Sequence, residues 1–294
     1  MGRPRRRAQV RLCVASGKGG TGKTLVSTSL AEVMSGSERV QFLDCDVEAP
    51  NAHLFLRPVV RQRVPVTVPV PRVDETACSH CGKCARACRF NAIASLPDST
   101  VVYADLCHSC GVCVSVCPER ALEETEREIG FVEVGAAEGI AFVRGEVNVG
   151  EPRGSAVIAA VKSWASPSSD TILDAPPGTS CPVVETMRGC DFVLLVTEPT
   201  PFGLSDLRLA VQTTRAMGLP AAVVVNRDGV GDDRVDRFCD SEGIPVWARI
   251  PHDRRIAETY ARGRMALRVA PELREAIETI AGRLRERAAN GGAR

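Results

Sequence analysis

The chain has 294 residues, 44% of them apolar and 25% charged, enough for one large or two modest folded units. A formal net charge of +1 and an aromatic content of 4% speak against a nucleic-acid or membrane partner recruited by bulk charge or base stacking. No run of about 20 apolar residues is present, so thirteen cysteines are the compositional excess that needs explaining.

In chain order, residues 1–7 carry Arg3, Arg5, Arg6 and Arg7 and read as a basic disordered tail. No apolar stretch follows them as in a secretory signal, so a cytoplasmic location is expected. Val10–Ala15 reads as a strand and runs into Ser16-Gly17-Lys18-Gly19-Gly20-Thr21-Gly22-Lys23-Thr24, ahead of a helical pattern over Leu25–Ser35. Strand, GxxxxGKT and helix together make a P-loop. Amides of Gly17, Gly19, Gly20, Thr21 and Gly22 are expected to curl around phosphates, Lys23 to reach the β- and γ-phosphates, and Thr24 to hold Mg2+. With Lys18 inside it, the loop resembles the deviant Walker A motif of MinD/ParA/Mrp-type P-loop ATPases. That resemblance implies an ATPase that forms a homodimer on ATP binding, with Lys18 reaching the partner's ATP.

Val40–Leu43 reads as a short buried strand ending in Asp44-Cys45-Asp46-Val47-Glu48-Ala49-Pro50-Asn51, similar to the family's switch I. The match implies that Asp46 orients the attacking water and that Asp44 sits near Mg2+. Residues 57–73 are rich in Val and Pro and read as an edge strand or stiff linker, because proline cannot donate to a central ladder.

Eight cysteines follow in two runs, Cys78-x2-Cys81-x2-Cys84-x3-Cys88 and Cys107-x2-Cys110-x2-Cys113-x3-Cys117-Pro118. Each cysteine of the second run lies 29 residues after its counterpart, and Ala92-Ile93 aligns with Ala121-Leu122, so the segment is an internal duplication. Clustering at short fixed spacing points to metal in a reducing compartment rather than to disulfides. Three thiolates two residues apart wrap one cubane, and the fourth ligates the neighbouring one. One [4Fe–4S] cluster is thus assigned to Cys78, Cys81, Cys84 and Cys117, and the other to Cys107, Cys110, Cys113 and Cys88. The segment resembles bacterial two-cluster ferredoxins, except that Arg89 stands where the pattern has proline. Zinc, which also binds CxxC pairs, is the alternative.

Thr171–Leu173 is a strand signal ending in Asp174-Ala175-Pro176-Pro177-Gly178-Thr179, which resembles the family's Walker B and switch II segment and implies that Asp174 holds the Mg2+ water shell. Cys181 lies seven residues on, where the nitrogenase iron protein carries a ligand, but residues 118–173 hold no second cysteine for such a bridging cluster. Strand signals at Phe192–Thr197 and Ala221–Val225 follow, the second ending at Asn226. By resemblance Asn226 contacts adenine, with Pro251 to Asp253 as the other side of the base pocket. The amphipathic tail Pro271–Ala289 is expected to pack on the body rather than on a membrane.

Apolar strands alternating with amphipathic helices predict an α/β fold, a mostly parallel doubly wound sheet, with a small inserted ferredoxin-like α+β domain. The expected division is 8–73 with 124–290 for the ATPase and 74–123 for the insert. The resemblance favours an Fe–S or metallocofactor maturation ATPase acting on a client protein. Complete ligation of both clusters favours the alternative, an ATP-gated electron-transfer protein that reduces a partner. A ParA/MinD-like positioning scaffold with redox-sensing clusters is the third reading. No nucleic-acid or membrane partner is expected, which counts against the third reading, and the cofactors expected are ATP, Mg2+ and two [4Fe–4S] clusters.

Overall fold

Runs of consecutive apolar residues in this chain become strands buried on both faces, the pattern expected of a parallel sheet covered by helices. The computed structural model describes residues 9–291, so the basic tail expected over 1–7 lies outside the described residues. Its elements begin β1 (Arg11–Ala15), α1 (Lys23–Ser35), β2 (Val40–Asp44), α2 (Ala52–Leu56) and β3 (Val59–Val73). The cysteine segment contributes α3 (Lys83–Ala87), β4 (Ile93–Ser95), β5 (Thr100–Val102) and α4 (Val112–Ser115), and is followed by β6 (Leu122–Ala137) and β7 (Ile140–Val147). The chain continues through α5 (Gly154–Ser163), β8 (Asp170–Asp174), α6 (Cys181–Met187), β9 (Phe192–Thr197), α7 (Pro201–Ala216) and β10 (Ala221–Asp228). It ends with α8 (Arg234–Glu242), β11 (Val246–Pro251), α9 (Arg254–Ala261) and α10 (Pro271–Gly291).

The strand order is β11-β10-β9-β1-β8-β2-β7-β6-β3. The strand pairings from β11 through β7 are all parallel, giving the mostly parallel α/β sheet that the alternation predicts. β6 and β7 are joined by Glu138 and Gly139, both at positive φ (41° and 86°), the two-residue hairpin geometry that turns the sheet antiparallel at this edge. β3 closes the order as an edge strand. Its Val66, Val68 and Val70 are buried while Pro65, Thr67 and Pro69 between them are exposed, so proline is tolerated where a central strand would exclude it.

The chain divides into two compact units. The first comprises residues 9–63, 132–146 and 158–291 and carries the main core, including Leu12, Val14, Leu30, Phe42, Phe142, Ile172 and Leu194. On α10 the buried residues Leu273, Ile277, Ile280, Ala281, Leu284 and Ala288 recur at helical spacing and join that core, so the tail helix packs on the body as its pattern predicts. Among the described residues no helix is long and apolar enough to cross a membrane.

The second unit comprises residues 64–131 and 147–157, wider than the 74–123 expected from the cysteines alone. Long-range polar contacts extend it. Thr125 Oγ1 donates to the Val70 carbonyl (3.3 Å), and the Asn148 amide donates to Ile129 (2.9 Å). Arg153 is ion-paired to Glu151 and donates from Nη1 to the Cys107 carbonyl (3.1 Å). None of these follows from local sequence pattern.

Candidate functional site

The P-loop of the first unit is shaped by backbone contacts before any ligand is considered. Gly22 takes φ 95° at the start of α1, and a Cβ there would strike the Asn226 side chain. Asn226 is buried and donates from Nδ2 to the Thr21 carbonyl (2.7 Å), tying β10 to the loop. The Gly178 amide donates to the Ser16 carbonyl (3.0 Å), joining the segment after β8 to the loop. Gly17 packs so closely on the Asp206 backbone that a side chain would collide with it.

These constraints frame a cavity of about 400 Å3. Of the residues expected from sequence, Gly19, Gly20, Gly22, Lys23, Thr24, Asp46, Asn226, Pro251 and Asp253 line it together. Asp44 and Asp174 are buried and stand side by side in register on the parallel strands β2 and β8. The Asp44 oxygens are occupied: Oδ1 accepts from the Asp46 amide (3.2 Å) and Oδ2 from the Ala52 amide (3.1 Å), so this carboxylate anchors the turn into α2. Both Asp174 oxygens are buried and lack a hydrogen bond of normal geometry, with the Thr24 and Ser27 hydroxyls as the donors nearby. An unsatisfied buried carboxylate beside the P-loop fits a hydrated Mg2+.

Burial, and then the charge of Asp174, push the Asp44 carboxyl well above the usual carboxylate range. Burial raises Asp174 too, against the opposing pull of Lys23. Asp46 is pushed up to about 6 by burial, again opposed by Lys23. Lys23 is therefore the cation that the acidic cluster needs.

Lys18 does not face this cavity: its Nζ lies 3.5 Å from Glu198 Oε2. The sequence reading did not single out Glu198, and no motif marks it beyond the Thr197-Glu198-Pro199-Thr200-Pro201 turn. Tyr260 was missed as well. Its ring stacks on Phe55 of α2 at 4.3 Å and lines the cavity with Thr24. Burial, with Asp174 nearby, pushes its hydroxyl up to about 12. In the sequence, only its place in the Arg254–Ala261 segment just after Pro251 to Asp253 marks it.

In the second unit the 29-residue repeat reaches past the thiols into the backbone. His80 and Ser109 (φ 50° and 55°), Gly82 and Gly111 (70° and 69°), and Asn91 and Arg120 (53° and 52°) are all left-handed at matching positions. The Ala92 amide donates to Cys88 Sγ and the Ala121 amide to Cys117 Sγ, each at 3.3 Å. Two cavities result. Cys78, Cys81, Cys84 and Cys117 line one. Cys88, Cys107, Cys110 and Cys113 line the other. All eight thiols are free, and the fourth cysteine of each run stands with the first three of the other. Four thiols per cavity, with amides donating to sulfur, suit a cubane. The ligand atoms of Glu75, Cys78 and His80 also lie within 4.8 Å of one another, which makes a divalent ion the competing occupant at that point.

The remaining cysteines divide by exposure. Cys13, Cys45, Cys190 and Cys239 are buried, and Cys181 is exposed at the start of α6. Cys13 is pushed up by its contact with Cys190 and by burial, and Cys239 to about 11 by burial, which suits inert packing.

The sequence pattern of the CobQ/CobB/MinD/ParA nucleotide-binding domain matches residues 12–267. An uncharacterised protein of Methanocaldococcus jannaschii, MJ0579, is 29% identical over 92% of this chain and 96% of its own length. A second from that organism, MJ0578, is 29% identical over 76% and 80%. Among solved structures, the septum site-determining protein MinD of Pyrococcus horikoshii with Mg-ADP superposes with a TM-score of 0.58 at 19% identity, covering 94% of this chain and 96% of that one. A Cyanothece McdA variant with ATP gives 0.57 at 16% identity, over 95% and 97%.

Proposed function

The chain belongs to the CobQ/CobB/MinD/ParA nucleotide-binding family, and from that premise we propose that it is an ATP-hydrolysing iron–sulfur protein whose ATP-driven dimer cycle acts on two [4Fe–4S] clusters. The observation that carries the reading is the pairing of cavities on one chain. One cavity is lined by P-loop residues, and each of two others is lined by four free thiols.

On this reading, amides of Gly17 to Gly22 and the Lys23 ammonium hold the phosphates, and Thr24 and Asp174 hold the Mg2+ shell. Asp46 orients water for attack at the γ-phosphate, and its rise to about 6 leaves it ionised above that pH. Asp44 acts one step back, by holding the Asp46 amide and the start of α2. Asn226, Pro251 and Asp253 stand on the base side of the cavity. Lys18 serves the partner subunit's nucleotide. The eight thiols of the second unit retain the clusters, which supply one-electron storage when bound.

Complete four-thiol sets favour ATP-gated electron transfer to a partner, because a cluster with no open iron is poorly suited to donation. Maturation of a client metalloprotein is the second reading, favoured by the resemblance to Mrp-type ATPases. Anaerobically purified protein should carry about eight irons per chain, and a content well below that sinks the cluster assignment. Incubation with an apo-acceptor and a chelator, with and without ATP, separates the two uses. Clusters that stay while reducing equivalents reach an acceptor exclude the maturation role, and ATP-dependent loss of iron to the apo-acceptor excludes the electron-transfer role.

A further inference from the structure

Glu198 stands at the C-terminal end of β9, and in the sheet β9 lies between β10 and β1. The ends of those three strands therefore deliver Arg227, Glu198 and Lys18 to one point. The Glu198 side chain is 9% exposed and faces two cations, Arg227 Nη1 at 2.7 Å and Lys18 Nζ at 3.5 Å. Its backbone is fixed: the Thr200 amide donates to its carbonyl (2.8 Å), and Gly203 packs so closely there that a Cβ would collide. Arg227 is held in the left-handed region (φ 55°) directly after the anchored Asn226. The carboxylate and the arginine are thus set by the backbone, and Lys18 is the longer, looser contact on a flexible stem.

We propose that Glu198 is a positioning residue for Lys18, keeping the lysine on its own subunit until ATP-dependent assembly draws it to the partner's nucleotide. This rests on the reading of Lys18 as the lysine that crosses the dimer. The second cation is what makes the release feasible. A buried carboxylate with a single partner resists losing it, because the remaining charge is uncompensated. Glu198 keeps Arg227 when Lys18 departs. Glu198 therefore sets the threshold for assembly, and Arg227 lowers the cost of crossing it.

The test is the midpoint protein concentration for dimer formation, measured by sedimentation velocity at ATP-analogue concentrations that saturate each variant, with ATPase per subunit against protein concentration as the second readout. Glu198→Gln frees Lys18 and should lower the midpoint about three- to tenfold, the scale of a partly exposed ion pair broken in each subunit. Arg227→Gln should raise it, because Lys18 would then leave an orphaned carboxylate. A purely structural role for the triad would move both variants the same way, and that result, or an unchanged Glu198→Gln midpoint, overturns the proposal. Should Glu198→Gln fold poorly, Arg227→Gln alone carries the test, and an unchanged or lowered midpoint refutes it. Lys18→Ala separates the two levels: if it assembles and turns over like the parent chain, the cross-dimer reading itself fails. If it loses assembly while Glu198→Gln behaves like the parent, only the role of Glu198 falls.

Discussion

In the second unit, the groups that face the cavities are repeated along the chain and oriented by main-chain conformation, with matched left-handed residues 29 positions apart and amides aimed at sulfur. In the first unit, no side chain repeats another, and the site balances unlike charges: buried Asp44 and Asp174, partly buried Asp46, and Lys23 against them. In the second unit the buried cluster of Cys84, Ile93, Cys113 and Leu122 draws half of its members from the cavity-lining thiols. The first unit has a deep aliphatic core independent of any ligand. On the proposed reading, the cysteine segment should depend on bound clusters for its local order, and the first unit should tolerate an empty site at an electrostatic cost.

The largest expected effect tests that contrast directly. Stripping iron anaerobically with a chelator should abolish amide-exchange protection around the two cysteine runs, residues 78–117, while the first unit keeps its own. Uniform protection, or uniform loss, in exchange mass spectrometry would erase the distinction. Next, Lys23→Ala should weaken nucleotide binding about 10- to 100-fold by calorimetry, since it removes charge-assisted bonds to phosphate. Its iron content should equal that of the parent, and a parallel fall in iron would show that the sites are not separable.

Asp46→Asn sharpens the electrostatic half of the comparison. The folded pKa of about 6 exceeds the unfolded value of 3.8, so ionisation opposes folding at neutral pH. The variant should lose turnover yet gain about 3 kcal/mol of Mg2+-free stability at pH 8. The sign of that gain fixes its pH dependence: it is complete above about 6, shrinks as the pH falls, and disappears below 4. Thermal melts of both proteins across that range measure it, and a destabilised variant at pH 8 would show that the carboxylate is not under strain. The smallest effect is expected for Asn226→Ala, which leaves the Thr21 carbonyl unpaired. About 1–2 kcal/mol of stability should go, seen as a melting point lower by a few degrees.

Much of this was legible in the sequence, and the exceptions share a cause. The P-loop and the cysteine runs are contiguous, so spacing alone specifies which groups converge, and the exchange of Cys88 and Cys117 between the runs follows from the same arithmetic. The parallel sheet follows from uninterrupted apolar strands such as Phe192–Thr197. The limits of the second unit were not legible, because the Arg153–Cys107 and Thr125–Val70 contacts join positions with no shared pattern. Glu198 was hidden for the same reason. An acid after a strand is unremarkable until the order β10-β9-β1 brings two basic residues to its side.

The exchange of the fourth cysteine has a consequence for any chain built from this repeat. Neither copy encloses a cavity with its own sulfurs alone, since Cys117 completes the set begun by Cys78 and Cys88 completes the set begun by Cys107. Deleting either copy removes one set outright and leaves the other a thiol short. A half-length ancestor would have needed to associate with a second copy of itself, and fusion of the two would have converted a concentration-dependent assembly into an intramolecular one.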